Sequence, residues 1–258
     1  MELALHGAVV LVTGGVRGVG LGITRVLLHA GATVVVCART EPAATVQGGG
    51  RTAEFLRCDV RDPAQVAALV EAVVDRHGRL DVLVNNAGGA PYAAAAEAGP
   101  RFHAKIVELN LLAPLLVSQA ANAVMQRQEH GGAIVMISSV SGHRPSPGTA
   151  VYGAAKAGLD NLTATLAVEW APKVRVNSLE VGMVRTEQAH LHYGDEDAIT
   201  AIGRTVPLGR LAEPDEVGNC VAFLASPLAS YVSGAVLAVH GGGEAPAFLP
   251  AARVEANT

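Results

Sequence analysis

Ala8-Val-Val-Leu-Val12 runs straight into Thr13-Gly14-Gly15-Val16-Arg17-Gly18-Val19-Gly20. An unalternating, Val-rich run of this kind reads as a strand covered on both faces. The glycines that follow let the backbone turn sharply and approach a pyrophosphate closely. The helix they open would offer that anion free N–H groups and the positive end of its dipole. A glycine-rich turn alone is a weak signal, and could be an ordinary turn. Set between a first strand and a first helix, it is a much stronger one.

Outward from this stretch, similar apolar runs recur at Thr33–Cys37, Glu54–Cys58, Asp81–Val84, Ala133–Ile137, Val174–Asn177 and Ala235–Val239. Amphipathic segments separate them. Asp62-Pro63-Ala64-Gln65 puts a capping acid before a proline at the first helical position, with Gln three residues after the cap. Glu213-Pro214-Asp215-Glu216 starts another helix in the same way. The alternation predicts an α/β, Rossmann-type, doubly wound fold: about seven parallel strands with helices on both faces. Gly48-Gly49-Gly50 reads as a flexible loop, and the tail from Glu244 onward as partly loose.

The 258 residues are 50% hydrophobic and 16% charged, enough for one sizeable core and too apolar for a disordered chain. The net charge of -4, with no run of Lys or Arg, gives no electrostatic footprint for nucleic acid. The apolar segments are short and broken, so no membrane span is expected. Met1 to Gly7 has no basic n-region and does not read as a signal peptide, so a cytoplasmic protein is expected. Cys37, Cys58 and Cys220 show no Cys-x-x-Cys spacing and read as buried small hydrophobes. His190-x-His192 lacks a third ligand at metal spacing, so no metal site is expected.

Four further motifs follow the glycine turn in order. Asn85-Asn86-Ala87-Gly88 ends the fourth strand, Asn110 lies in the helix after it, Ser139 ends the fifth strand, and Tyr152-Gly-Ala-Ala-Lys156 begins thirteen residues after that serine. Together with Thr-Gly-x-x-x-Gly-x-Gly they resemble the short-chain dehydrogenase/reductase family over most of the chain. The resemblance implies one domain over 1–258: residues 1–110 mainly bind a dinucleotide, 111–258 carry the catalytic and substrate parts, and 182–213 form a substrate lid. It also implies a homo-oligomer, tetramer or dimer. By the same resemblance Gly14, Arg17, Gly18, Val19 and Gly20 face the cofactor phosphates. Asp59 and Val60 hold the adenine, and Asn86, Ala87 and Gly88 line the ribose. Val184 and Thr186 reach the nicotinamide or the phosphates.

The end of the second strand, Cys37-Ala38-Arg39-Thr40, has no carboxylate until Glu41. NAD enzymes place an acid there for the ribose 2′-hydroxyl. Arg39, with Arg17 nearby, suits a 2′-phosphate, which guanidinium binds through paired charged hydrogen bonds. The cofactor read from these residues is NADP(H), with NAD(H) as the alternative if Arg39 stacks on adenine instead.

Tyr152 and Lys156, four residues apart on a helix, share one face. A free tyrosine of pKa ~10 is ionised about once in a thousand at pH 7, and a shift of three units needs roughly 4 kcal/mol. A cation ~4 Å away at an effective dielectric of ~20 supplies about that before desolvation opposes it. The expectation is that Lys156 lowers the Tyr152 pKa. By resemblance Tyr152 exchanges a proton with the substrate oxygen, Ser139 hydrogen-bonds that oxygen, Lys156 also holds the ribose hydroxyls, and Asn110 supports a proton path to Lys156. Ser138 and Ser141 are the structural alternatives to Ser139.

The family normally has Pro before Gly182; here Val181 stands there after an unusual Glu180, and His240 replaces an acid after the last strand. The stretch from Gly182 to Glu213 shows no helix signal and reads as a lid loop. With Ser141–Gly148, it would shape a pocket for a bulky, mostly apolar small-molecule alcohol or ketone of lipid, steroid or acyl type. The rival readings are an NAD-dependent dehydrogenase of the same family, a non-catalytic nucleotide sensor, and a sugar-nucleotide epimerase or dehydratase of the longer branch. A hydrolase is disfavoured, because no Gly-x-Ser-x-Gly occurs.

Overall fold

The structure, a computed structural model, describes residues 5–246. Most of the Met1–Gly7 segment and of the tail after Glu244 lies outside that range. In chain order the elements are β1 (Val9–Thr13), α1 (Gly18–His29), β2 (Thr33–Ala38), β3 (Gln47–Gly48), β4 (Arg51–Thr52), β5 (Glu54–Arg57), α2 (Pro63–His77) and β6 (Val82–Asn85). Then come α3 (Pro100–Val107), a π-helical turn (Glu108–Leu112), α4 (Ala113–Met125), β7 (Gly132–Ile137), a 3-10 turn (Val140–Gly142) and α5 (Ala150–Glu169). The chain continues through β8 (Val174–Val181), α6 (His190–Tyr193), α7 (Glu196–Gly203), α8 (Pro214–Ala225) and β9 (Val236–Val239).

All seven expected strands form one parallel sheet in the order β5-β2-β1-β6-β7-β8-β9. Strand alternation splits the core into two layers. Val10 and Val12 face α1 and α8, while Val9 and Leu11 face the α2, α4 and α5 side. The direction of strand addition reverses between β1 and β6. In open sheets of this type, ligands bind in the crevice at the carboxyl ends of the strands on either side of such a switch.

Local signals set several boundaries. Asp62 caps α2 by accepting from the N–H groups of Ala64 (2.9 Å) and Gln65 (3.2 Å). At α8, Glu216 reaches back to the N–H of Glu213 at 2.8 Å, and Arg210 binds both its carboxylate oxygens.

Five expectations change. Gly48-Gly49-Gly50 is no loose loop: β3 and β4 pair antiparallel, and Gly49 and Gly50 take the two positive φ angles (57° and 72°) that a tight hairpin turn needs. The lid contains two helices, α6 and α7, and Asp195 caps α7 through the Ala198 N–H at 2.9 Å. β8 runs on to Val181, because a valine there continues the ladder to Val239. β9 is an edge strand with a partly exposed face, not one covered on both sides. Cys37 and Cys58 are buried, but Cys220 is only partly so.

One helical run, Pro100–Met125, is long and apolar enough by length and composition to cross a bilayer, which reading isolated apolar stretches overlooked. Its Ala113, Val117, Ala121 and Met125 are core residues against the sheet, and that packing accounts for its apolar face.

Candidate active site

The glycine turn is held shut by the residues that follow β6. The Asn86 side-chain amide donates to the carbonyls of Thr13 (3.0 Å) and Gly14 (3.1 Å). The Thr13 hydroxyl accepts from the N–H groups of Asn86 and Ala87, both at 3.0 Å. The turn packs so tightly that a Cβ at Gly20 would come within 2.2 Å of the Gly14 carbonyl oxygen. Asn86 is therefore the clamp that shapes the glycine turn, a role its position next to Ala87 and Gly88 did not reveal.

The N-terminus of α1 behaves as an anion site. The Gly18 N–H donates to both carboxylate oxygens of Glu187, at 3.0 and 3.2 Å. Thr186, the residue before it, lies against Gly18: a Cβ there would be 3.7 Å from Thr186 Cγ2. A carboxylate thus rests where a dinucleotide phosphate would be received. Sequence reasoning missed Glu187, because only the fold of the lid brings it across 169 residues of chain to Gly18. Val184 is buried beneath the lid base and bridges to Ala212.

Arg17, which precedes Gly18, and Arg39, which follows β2, are both exposed. The Asp59 carboxylate is taken up by Arg61, with Nε at 2.9 Å and Nη2 at 2.6 Å. Those hydrogen bonds hold its pKa at about 2, and the charge on Arg39 contributes in the same direction. Arg39 therefore lies electrostatically close to Asp59. Val60 beside it is buried.

The catalytic candidates converge at the C-terminal ends of β6 and β7. Lys156 is buried, and its Nζ donates to the Ile137 carbonyl at 2.7 Å. The same Nζ stands 5.5 Å from the centre of the Tyr152 ring. Ser139 stands close enough to the Tyr152 phenol to lower its pKa. Asn110 sits in the π-helical turn, where widened backbone spacing is frequently functional. Its side chain accepts from the Gly89 N–H (2.8 Å) and donates to the carbonyls of Gly89 and Ile106, both at 3.0 Å. Gly88 lies between the two groups: a Cβ there would be 2.8 Å from Asn110 Oδ1 and 3.5 Å from Lys156 Nζ.

The electrostatics differ from the sequence expectation. Burial raises the Tyr152 pKa, with the Ser139 hydrogen bond opposing, and Lys156 is not among the causes. Burial also brings Lys156 down to about 8, with the Asp160 carboxylate opposing. The lysine donates to the Ile137 carbonyl and stands over the ring, 5.5 Å from its centre, and the protein's own groups leave the phenol above its ordinary pKa. Ser138 is structural, donating to Asp160 Oδ2 at 2.8 Å, and Ser141 accepts from Ser146 at 3.1 Å.

A cavity of about 130 Å³ adjoins the Ser139 turn, lined by Val140, His143, Arg144, Glu180, Met183 and His240 among others. A larger, open groove of about 430 Å³ runs past Ala150, Gly153, Ala154 and Ala157 on another face of α5, and neither Tyr152 nor Lys156 lines it. Among the described residues, no group of three or more His, Cys, Asp or Glu side chains is placed to hold a metal ion. The side chain of His192 lies outside what is described.

Comparison with known proteins supplies the family. A family profile described as enoyl-(acyl carrier protein) reductase matches residues 14–244. Human dehydrogenase/reductase SDR family member 4 is 34% identical over 245 residues, covering 92% of this chain and 88% of that one. The 3-oxoacyl-[acyl-carrier-protein] reductase FabG of Vibrio cholerae is 35% identical over 241 residues, covering 92% and 98%. The solved aldohexose dehydrogenase of Thermoplasma acidophilum superposes with a TM-score of 0.87 at 30% identity, covering 94% and 96%. The profile runs from Gly14 to beyond the last strand and the relatives cover more than nine-tenths of the chain, so the chain belongs to the short-chain dehydrogenase/reductase family and is an oxidoreductase.

Proposed function

We propose that the protein is an NADP(H)-dependent oxidoreductase interconverting a secondary alcohol and a ketone. The observation that carries this reading is buried Lys156, held on the Ile137 carbonyl with its ammonium 5.5 Å from the centre of the Tyr152 ring, the phenol being close enough to Ser139 to feel it. When bound, the nicotinamide supplies or accepts the hydride. Gly14, Arg17, Gly18, Val19, Gly20 and Thr186 would hold its phosphates, and Asn86, Ala87, Gly88 and Lys156 its ribose. Asp59 and Val60 would meet the adenine, and Val184 the nicotinamide end. Arg39, exposed with no acid beside it on the strand end, favours the 2′-phosphate of NADP(H) over NAD(H).

Tyr152 is the proton donor in ketone reduction and the acceptor in alcohol oxidation. Ser139 donates a hydrogen bond to the substrate oxygen as charge develops there. Burial keeps the phenol protonated at neutral pH, the form that donates in ketone reduction, and makes it a weaker acid than free tyrosine. Asn110, buried beside Lys156 across Gly88, supports the route that returns the proton.

The substrate part is residues 111–258 with the lid over 182–213. Leu191 and Met183 supply apolar surface, so the substrate is a bulky, mostly apolar alcohol or ketone of lipid, steroid or acyl type. Exposed Val168 on α5 and Val236 on the β9 edge support a homo-oligomer, dimer or tetramer.

The test is a panel of ketones and alcohols, apolar and hydroxylated, assayed with NADPH, NADH and their oxidised forms at the reduced-nicotinamide absorbance band. Turnover of bulky apolar ketones with NADPH is expected. Equal or better rates with NADH, or turnover of only small polyols, would overturn the cofactor or the substrate part respectively.

A further inference from the structure

Three consecutive residues divide the work at the end of β7. The Ile137 carbonyl holds Lys156, the Ser138 hydroxyl holds Asp160, and Ser139 lies beside the Tyr152 phenol and lowers its pKa. Asp160 lies one helical turn beyond Lys156 on α5 and is buried; its other oxygen accepts from Ser178 on β8 at 2.7 Å. The turn that Ser139 opens ends at His143. There the imidazole meets two carboxylates: Nδ1 is 3.0 Å from Glu180 Oε1, and Nε2 is 3.6 Å from Asp160 Oδ2. Both ends of the Ser139 turn therefore converge on Asp160.

We propose that His143, in its doubly protonated form, is a positioning residue that clamps the Ser139 turn to Glu180 and Asp160 and so keeps Ser139 and Lys156 in register with Tyr152. A neutral imidazole carries one N–H and would turn a lone pair towards one of the two carboxylates; the imidazolium donates to Glu180 and forms a longer ion pair with Asp160. Glu180, the residue that departs from the family pattern, is one partner. The groups facing His143 are Glu180 from β8 and Asp160 from α5, with Lys156 behind Asp160. His240 and Glu244 from the segment after β9 share the cavity wall, and Arg144 on its own loop is paired to Glu244 at 2.7 Å.

The hydrogen bond to Glu180 raises the His143 pKa above the usual histidine value. The clamp is therefore present at low pH and released as pH rises through that raised pKa. The side chain is 46% exposed, so its proton exchanges with solvent.

This inference rests on the reading of Ser139, Tyr152 and Lys156 as the reacting group, and its test separates the two. In the full-length protein with 13C-labelled histidine, the His143 Cε1 signal should titrate with a midpoint above the ordinary ~6.5. That midpoint should fall in Glu180→Gln. With the best ketone of the panel, His143→Gln should lower kcat about three- to tenfold at pH 6, leave the NADPH Kd unchanged, and converge on wild type at high pH. An ordinary midpoint, one indifferent to Glu180→Gln, or a rate ratio constant across pH would overturn the clamp. A raised midpoint combined with full turnover by Tyr152→Phe would instead overturn the reading of the site.

Discussion

The proposed dinucleotide corner at β1, α1 and β6 and the proposed catalytic flank at β7, α5 and β8 lie at the same edge of the sheet but use polar groups in opposite ways. The corner works through backbone. Thr13 and Asn86 spend their side chains on shaping the glycine turn, and its cations, Arg17 and Arg39, stay exposed. The flank buries its charge: Lys156 and Asp160 are both within the core. A binding site can be assembled from shape and unspent N–H groups at little cost in stability. Proton chemistry needs charges held out of water, and these oppose folding.

The difference can be broken most strongly at Lys156. Lys156→Met should lower turnover by about 10³-fold, the scale of lost acid–base assistance. It should also stabilise the fold. Burial lowers the lysine pKa from 10.5 to about 8, equivalent to roughly 3 kcal/mol against folding while the group is charged. Below pH 8 that cost is fully present; between about 8 and 10.5 the unfolded chain binds the extra proton, so the wild type gains stability as pH rises. Denaturant titrations should therefore show the variant ahead at pH 7 and the gap narrowing at pH 9.5. A variant less stable at both pH values would contradict the buried-charge account.

In the corner, Arg39→Asp should shift the NADPH/NADH preference by about ten- to a hundredfold, the worth of a charged hydrogen bond lost to phosphate. Steady-state kinetics with both cofactors reads this, and an unchanged ratio would remove Arg39 from cofactor selection. Glu187→Gln gives the smallest effect. Its carboxylate must leave Gly18 before a phosphate can settle, and a charge at a helix N-terminus is worth about 0.3–1 kcal/mol. NADPH should bind roughly two- to fivefold more tightly to the variant by fluorescence titration; weaker binding would mean that Glu187 supports the closed lid instead of competing with the cofactor.

The same contrast explains what could be read from sequence. Seven strands, the glycine turn and the caps at Asp62 and Glu213 were legible because each is a local pattern: a Val-rich run, a glycine spacing, an acid before Pro. The hairpin at Gly49–Gly50 and the lid helices carried signals that were present but passed over, the acids Asp195, Glu196 and Asp197 being a helix start. Other features had no local signal at all. The Glu187–Gly18 contact, the Lys156 bond to Ile137 and the Glu180–His143–Asp160 cluster exist only once strands and loops are assembled. Four-residue spacing placed Lys156 on the same face as Tyr152, but burial decides the phenol's pKa, and burial is a property of the fold.

Tyr152→Phe tests the central claim most directly. It removes one hydroxyl, keeps the buried ring and leaves Lys156 on Ile137. NADPH affinity measured by fluorescence should stay within about twofold of wild type, while single-turnover ketone reduction should slow by about 10³-fold. Reduction at the wild-type rate would contradict Tyr152 as the proton donor, and loss of NADPH binding would mean that the phenol builds the cofactor site instead of serving the chemistry.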